Sequence, residues 1–128
     1  MENKESLYPP DWFEKAKKDL ERVSRRLAEN DLEDAAVHLQ QAIEKYLKGY
    51  LLSKGWKLKK IHDLSVLLTE AAKYNPKLAE FLEFCQEASS YYLKERYPLP
   101  AEYLSKEEIE NALSKAEELI QELLRDIK

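Results

Sequence analysis

Glycine is almost missing from this chain: there are 2 in 128 residues. That leaves little material for two-residue β-turns or for the glycine-rich loops that cradle phosphates, and points away from β-rich and nucleotide-loop folds. Cysteine is scarcer still. Cys85 stands alone, which excludes an internal disulfide and a multi-cysteine zinc site and suits a reducing compartment. It lies on the apolar face of a helical segment, where a cysteine acts as a small buried hydrophobe rather than a reactive thiol. Long apolar runs are also lacking. None approaches the roughly 18 residues of a membrane span, and no apolar stretch follows the polar start to make a secretory signal, so a cytoplasmic protein off the membrane is expected. Positive charge is in deficit too: 21 Lys and Arg face 25 Asp and Glu, a net charge of -4. Diffuse attraction to nucleic acid or to an anionic membrane is therefore disfavoured, and any such contact must be local.

What is abundant is helix-forming material, with 44% hydrophobic and 36% charged residues. The length suits one domain of roughly 100–200 residues, so residues 1–128 read as one helical domain, with residues 1–10 a loosely ordered N-terminal segment. Five segments show helical periodicity, predicting an all-α, up-and-down bundle of about five helices. The first covers about 11–29, with Asp11 as its cap after two prolines and Phe13, Ala16, Leu20, Val23 and Leu27 as its stripe. Asn30 and Asp31 turn the chain into a second helix that reaches about 53 before Gly55. So short a connection makes the two antiparallel. A lysine-rich linker carrying an exposed-looking Trp56 leads to Asp63, the cap of a third helix to about 74. Pro76 opens a fourth helix to about 94. Pro98 and Pro100 interrupt the chain before a capping box at Ser105 and Glu108 opens the last helix, whose stripe is wide enough to touch two neighbours.

Three features carry possible chemistry. The second helix has apolar residues round most of its circumference, which makes it the central one. Its polar residues His38, Gln41, Glu44, Lys45 and Lys48 fall three or four apart and form a ridge. That ridge is either a solvated face with Gln41–Lys45 and Glu44–Lys48 pairs or a polar groove. His62 and Asp63 sit at a helix start, which serves as a plain cap or as a place for an anion that Asp63 itself would contest. A site for a metal built on His38 and His62 has no supporting spacing, and none is expected; no cofactor is implied. Finally, residues 89–98 form a tyrosine- and serine-rich stretch ending in Arg96, Tyr97 and Pro98. Arg96 is suited to grip a phosphate or carboxylate while Tyr97 stacks on a base, or equally to bond helix-end carbonyls.

Three blocks, taken in order, resemble a HEPN domain, the family named for higher eukaryotes and prokaryotes nucleotide-binding. They are the run from Ala35 to Lys48, the Ile61-His62-Asp63-Leu64 stretch, and Tyr91-Tyr92 followed by Arg96-Tyr97-Pro98. The resemblance implies a helical bundle that commonly forms homodimers. It also implies a small protein paired with a separately encoded minimal nucleotidyltransferase, in a toxin–antitoxin-like arrangement. Many members of the family are metal-independent ribonucleases in which an arginine and a histidine a short way beyond it help the ribose 2′-hydroxyl attack the adjacent phosphate. Arg96 matches the arginine, but Ala101, Glu102 and Tyr103 stand where the histidine would fall. Tyr103, with an ordinary pKa of about 10, is a poor general base at neutral pH. The resemblance therefore implies a non-catalytic module that binds a nucleotide, RNA or a partner through Arg96, Tyr97, Tyr103, Gln41, Lys45, Lys48, His62 and Asp63. The alternatives are a HEPN endoribonuclease using Arg96 with Glu102 as an unorthodox base, and a purely structural dimerisation scaffold.

Overall fold

A computed structural model describes residues 5–91 and 104–127, and within them every regular element is helical. Helix α1 spans Pro9–Ala28, α2 Leu32–Ser53 and α3 Leu64–Ala72; a 3₁₀ helix, Pro76–Phe81, leads into α4, Leu82–Ala88, and α5 spans Lys106–Arg125. The buried apolar side chains form one connected core.

Helix α1 begins two residues earlier than its sequence suggests. Tyr8 is the cap, and Pro9 enters the first turn, where a missing N–H costs nothing. Asp11 is in the first turn and accepts a hydrogen bond from Ser6 Oγ at 2.6 Å, while Trp12 Nε1 donates to the Ser6 carbonyl at 2.7 Å. The segment expected to be loose up to residue 10 is thus tied down from Ser6 onward. At the other end Asn30 takes a left-handed φ of 61°, and the Asp31 side chain accepts from Asp34 N, so the α1–α2 reversal is made by the two residues that foretold it. Gly49 makes room for a side chain of α1: a Cβ there would meet the Phe13 ring at 2.6 Å. Phe13 in turn stacks on Tyr46, with ring centroids 5.9 Å apart.

Helix α2 is central, packed against α1, α3 and α5. Leu39, Ile43, Leu47, Tyr50 and Leu51 are fully buried along it. Gly55, with φ 89°, ends the helix, and the following Trp56 is 8% exposed, not the surface tryptophan that its lysine-rich surroundings suggest. Its ring is covered by the chain, with the Lys59 ammonium 5.9 Å from its centroid, so the lysines are the solvated part of that linker. Asp63 caps α3, which stops at Ala72, two residues short of expectation.

The fourth helix departs most from the sequence reading. Its first six residues are 3₁₀, and the α-helical part ends at Ala88, followed by a turn at Ser89 and Ser90. A 3₁₀ turn brings residues three apart onto one face, and Leu78 and Phe81, the pair with that spacing, are both buried. Once the spacing becomes four and three, at Cys85 and Ala88, the chain is α-helical. The expected continuation to about 94 lies outside the described residues. Ser105 and Glu108 form the capping box of α5, whose stripe packs on α2, α4 and the 3₁₀ helix.

Burial pushes the Cys85 thiol up to about 12 and the Tyr91 hydroxyl likewise to about 12. A raised folded-state pKa means that the contribution to stability is complete below the unfolded value and is lost as pH rises towards the folded one. Stability is therefore expected to hold to about pH 9 and to fall steadily from there to about pH 12. Urea unfolding across that range checks it, and an unchanged midpoint up to pH 11 would contradict it.

Candidate functional site

A buried carboxylate faces α2 from α1. Asp19 is 1% exposed. One carboxylate oxygen meets His38 Nδ1 at 3.0 Å and Arg22 Nη1 at 3.4 Å, and the other meets Lys45 Nζ at 2.5 Å. His38 Nε2 lies 3.4 Å from Asp34, which also takes Arg26 Nε at 2.6 Å. Helices α1 and α2 are thus joined along one flank of their contact by a chain of carboxylates alternating with basic side chains.

A second string begins one turn further along α2. Lys48, 2% exposed, extends under the Trp12 ring, 5.8 Å from its centroid, and donates to Glu44 at 3.0 Å. The same Glu44 oxygen faces His62 Nδ1 at 2.9 Å, while its other oxygen is 3.3 Å from Gln40 Nε2. Gln40 Nε2 also lies 3.3 Å from the His62 carbonyl, so the linker before α3 is held to α2 by its backbone as well as by its imidazole.

Two clefts open on either side of these groups. One, of about 710 Å³, lies between the N-terminal segment, α1 and α2 and is lined by Trp12, Lys15, Glu44, Lys45, Lys48 and His62 among others. The other, of about 560 Å³, lies between α2 and the start of α3 and includes Gln41, Glu44, Lys45, His62, Asp63 and Ser89. Sequence reasoning therefore named residues that do come together: Gln41, Lys45, Lys48, His62 and Asp63 all line one cleft or the other. Arg96, Tyr97, Glu102 and Tyr103 lie outside the described residues.

The surroundings of those residues differ from the solvated-face reading. The Glu44–Lys48 pair forms, but its lysine is buried, and Lys45 turns to Asp19 in place of Gln41. The reason is tertiary: α1 covers that flank of α2 and supplies a carboxylate to it. At the start of α3 the cap is filled from within. Asp63 Oδ1 accepts from Ser65 N at 2.9 Å and from Ser65 Oγ at 2.7 Å, and the Ser65 hydroxyl chiefly, with backbone amides, holds its carboxyl below the usual range. That helix start is a cap, and an anion there would meet a carboxylate. Among the described residues no group of three His, Cys, Asp or Glu side chains is placed to hold a metal ion, and no helix is long and apolar enough to cross a membrane.

Asp19, Trp12 and Gln40 were missed by sequence reasoning. Asp19 carried a signal: Trp12, Ala16, Asp19 and Val23 fall at spacings of four, three and four, so a carboxylate occupies a core position of the α1 stripe. A charge at such a position is buried only with partners, which the ridge of α2 was the evident place to find.

The bundle, the central α2 and the polar strings leading to His62 are the setting of the first two sequence blocks noted above, and a family model for the HEPN domain matches residues 10–127. The chain belongs to the HEPN family. It is similar in structure to ST0689, an archaeal HEPN homologue whose crystal structure superposes with a TM-score of 0.78 at 28% sequence identity, covering 94% of this chain and 98% of that one. No curated protein matches the chain. As a HEPN domain it is a module of the nucleotide-binding or ribonuclease type. The matched region runs through residues 96–103, which lie outside the described residues.

Proposed function

We propose that this HEPN domain is a non-catalytic binding module that takes a nucleotide or an RNA end as a homodimer and works with a separately encoded minimal nucleotidyltransferase, in a toxin–antitoxin-like pair. The carrying observation is chemical: beyond Arg96, the positions where the family's histidine would fall hold Ala101, Glu102 and Tyr103, so the motif itself supplies no imidazole to take a proton from a 2′-hydroxyl. Of the two histidines of the chain, His38 lies between Asp19 and Asp34, and His62 gives one ring nitrogen, Nδ1, to Glu44. An arginine without a base can still hold a phosphate bidentately, which is binding without turnover. Nucleotidyl transfer would fall to the partner, since this glycine-poor helical chain offers no Gly-Ser strand turn with paired metal-binding aspartates.

Incubating the pure protein with mixed-sequence RNA in the presence of a chelator tests the reading. RNA is expected to stay intact, and binding of RNA or nucleotide to weaken in Arg96→Ala. Cleavage by the unaltered protein that disappears in Arg96→Ala would replace this reading with the ribonuclease one. Co-expression with an adjoining nucleotidyltransferase, where one is encoded, should yield a complex that survives gel filtration.

A further inference from the structure

The charge balance of the 560 Å³ cleft between α2 and the start of α3 decides what can occupy it. Its cation, Lys45, is already neutralised by the buried Asp19, and Glu44 is neutralised by Lys48. Asp63, kept ionised by the hydrogen bonds that cap α3, has no counter-ion among the described residues. A phosphate entering here would find no free cation among the described residues and would face a carboxylate, whereas an uncharged ligand rich in N–H and O–H donors would not be repelled.

Two groups on the wall are positioned to read such a ligand. Gln41 is half-buried, and its carboxamide has no hydrogen-bond partner among the described residues. A carboxamide presents a donor and an acceptor side by side, the pattern that pairs with the adjacent acceptor and donor on an adenine edge. His62 is 77% exposed, and its Nδ1 is held by Glu44 at 2.9 Å. In the neutral ring that bond places the proton on Nδ1 and leaves Nε2 as an oriented acceptor for a hydroxyl. The cleft volume is in the range of small-ligand pockets, roughly 300–1,000 Å³.

Resting on the reading that this domain binds a nucleotide or an RNA end, we infer that this cleft takes the uncharged nucleoside part of that ligand, an adenine edge on Gln41 and a ribose hydroxyl on His62 Nε2. The phosphate is held elsewhere. The lysines of α2 are structural counter-ions, and the ligand's charge does not rest on them.

Titration of the full-length ¹⁵N-labelled protein with adenosine, with AMP and with inorganic phosphate tests this, following the Gln41 side-chain amide and the His62 ring. Adenosine and AMP should both shift these signals, and phosphate alone should not. Gln41→Leu should weaken adenosine and AMP alike, on the order of tenfold for the lost amide pair. Gln41→Glu, which keeps the shape but loses the donor, should do the same, and an unchanged melting temperature would show that either variant is folded. If AMP binds while adenosine leaves the signals unmoved, or if neither Gln41 variant changes affinity, the inference is wrong and the nucleotide-binding reading survives. If neither these ligands nor RNA bind, both are wrong.

Discussion

Glu44→Ala is expected to lower stability by about 3 kcal/mol, a fall in melting temperature on the order of 10 °C, although Glu44 lies at the edge of a cleft. The cause is the group left behind. Lys48 is 2% exposed, with Glu44 as its anionic partner at 3.0 Å and the Trp12 ring as its other close neighbour. Without the carboxylate its ammonium must stay in place uncompensated or push past Trp12 to reach water, and orphaning a buried ion in this way costs about 3–5 kcal/mol. The lower end applies because Lys48 borders the 710 Å³ cleft, through which water can approach. The double variant Glu44→Leu, Lys48→Met separates this cause from others. Replacing both charges by apolar groups of similar size should recover most of the loss, and urea unfolding of the three proteins measures it. A double variant as unstable as Glu44→Ala would mean that the loss comes from the His62 and Gln40 contacts instead.

Asp19→Ala is expected to cost about 2–3 kcal/mol, less than its complete burial suggests. Three positively charged or chargeable groups lose their acceptor, but Lys45 is 29% exposed and Arg22 is 45% exposed, so both can turn to solvent. His38, at 17%, has less freedom and keeps only Asp34. The Lys45 share is measurable as the coupling in a double-mutant cycle of Asp19→Ala with Lys45→Ala, expected at about 1–2 kcal/mol. A change at the same residue also has a consequence for the cleft. Asp19→Asn keeps the shape of the side chain but frees the Lys45 charge, so inorganic phosphate, expected not to bind the unaltered protein there, should begin to perturb Gln41 and His62. No gain of phosphate binding in Asp19→Asn would show that Lys45 does not govern the charge of the cleft.

These two carboxylates mark where sequence reasoning reached and where it stopped. Glu44 was placed on the α2 ridge with Lys48 as its partner because an i, i+4 pair is a local matter, settled by helix geometry alone. Asp19 was passed over because what makes it unusual is a neighbour 19 residues away on α2 and another 26 residues away. The same division holds in the fold. Asp31, Asp63 and Ser105 cap the helices they were expected to cap, since each cap is a bond within a few residues of itself. Trp56 and the start of the fourth helix differ from expectation because both answer to the core: one ring is drawn under the linker, and Leu78 with Phe81 is served by a 3₁₀ turn.

Composition and periodicity alone determined that this chain is a helical bundle, that α2 is its centre and where most helices start, because those properties depend on spacings along the chain and on apolar area removed from water. The resemblance to HEPN domains was legible for the same reason, being carried by short blocks of contiguous residues. Only the tertiary structure decided that the ridge of α2 is half covered, that its lysines are spent on Asp19 and Glu44, and that Gln41 and His62 are left facing an open cleft. Whether a charge is free or cancelled depends on the distance to its counter-ion in space, and no spacing along one helix records what another helix brings to it.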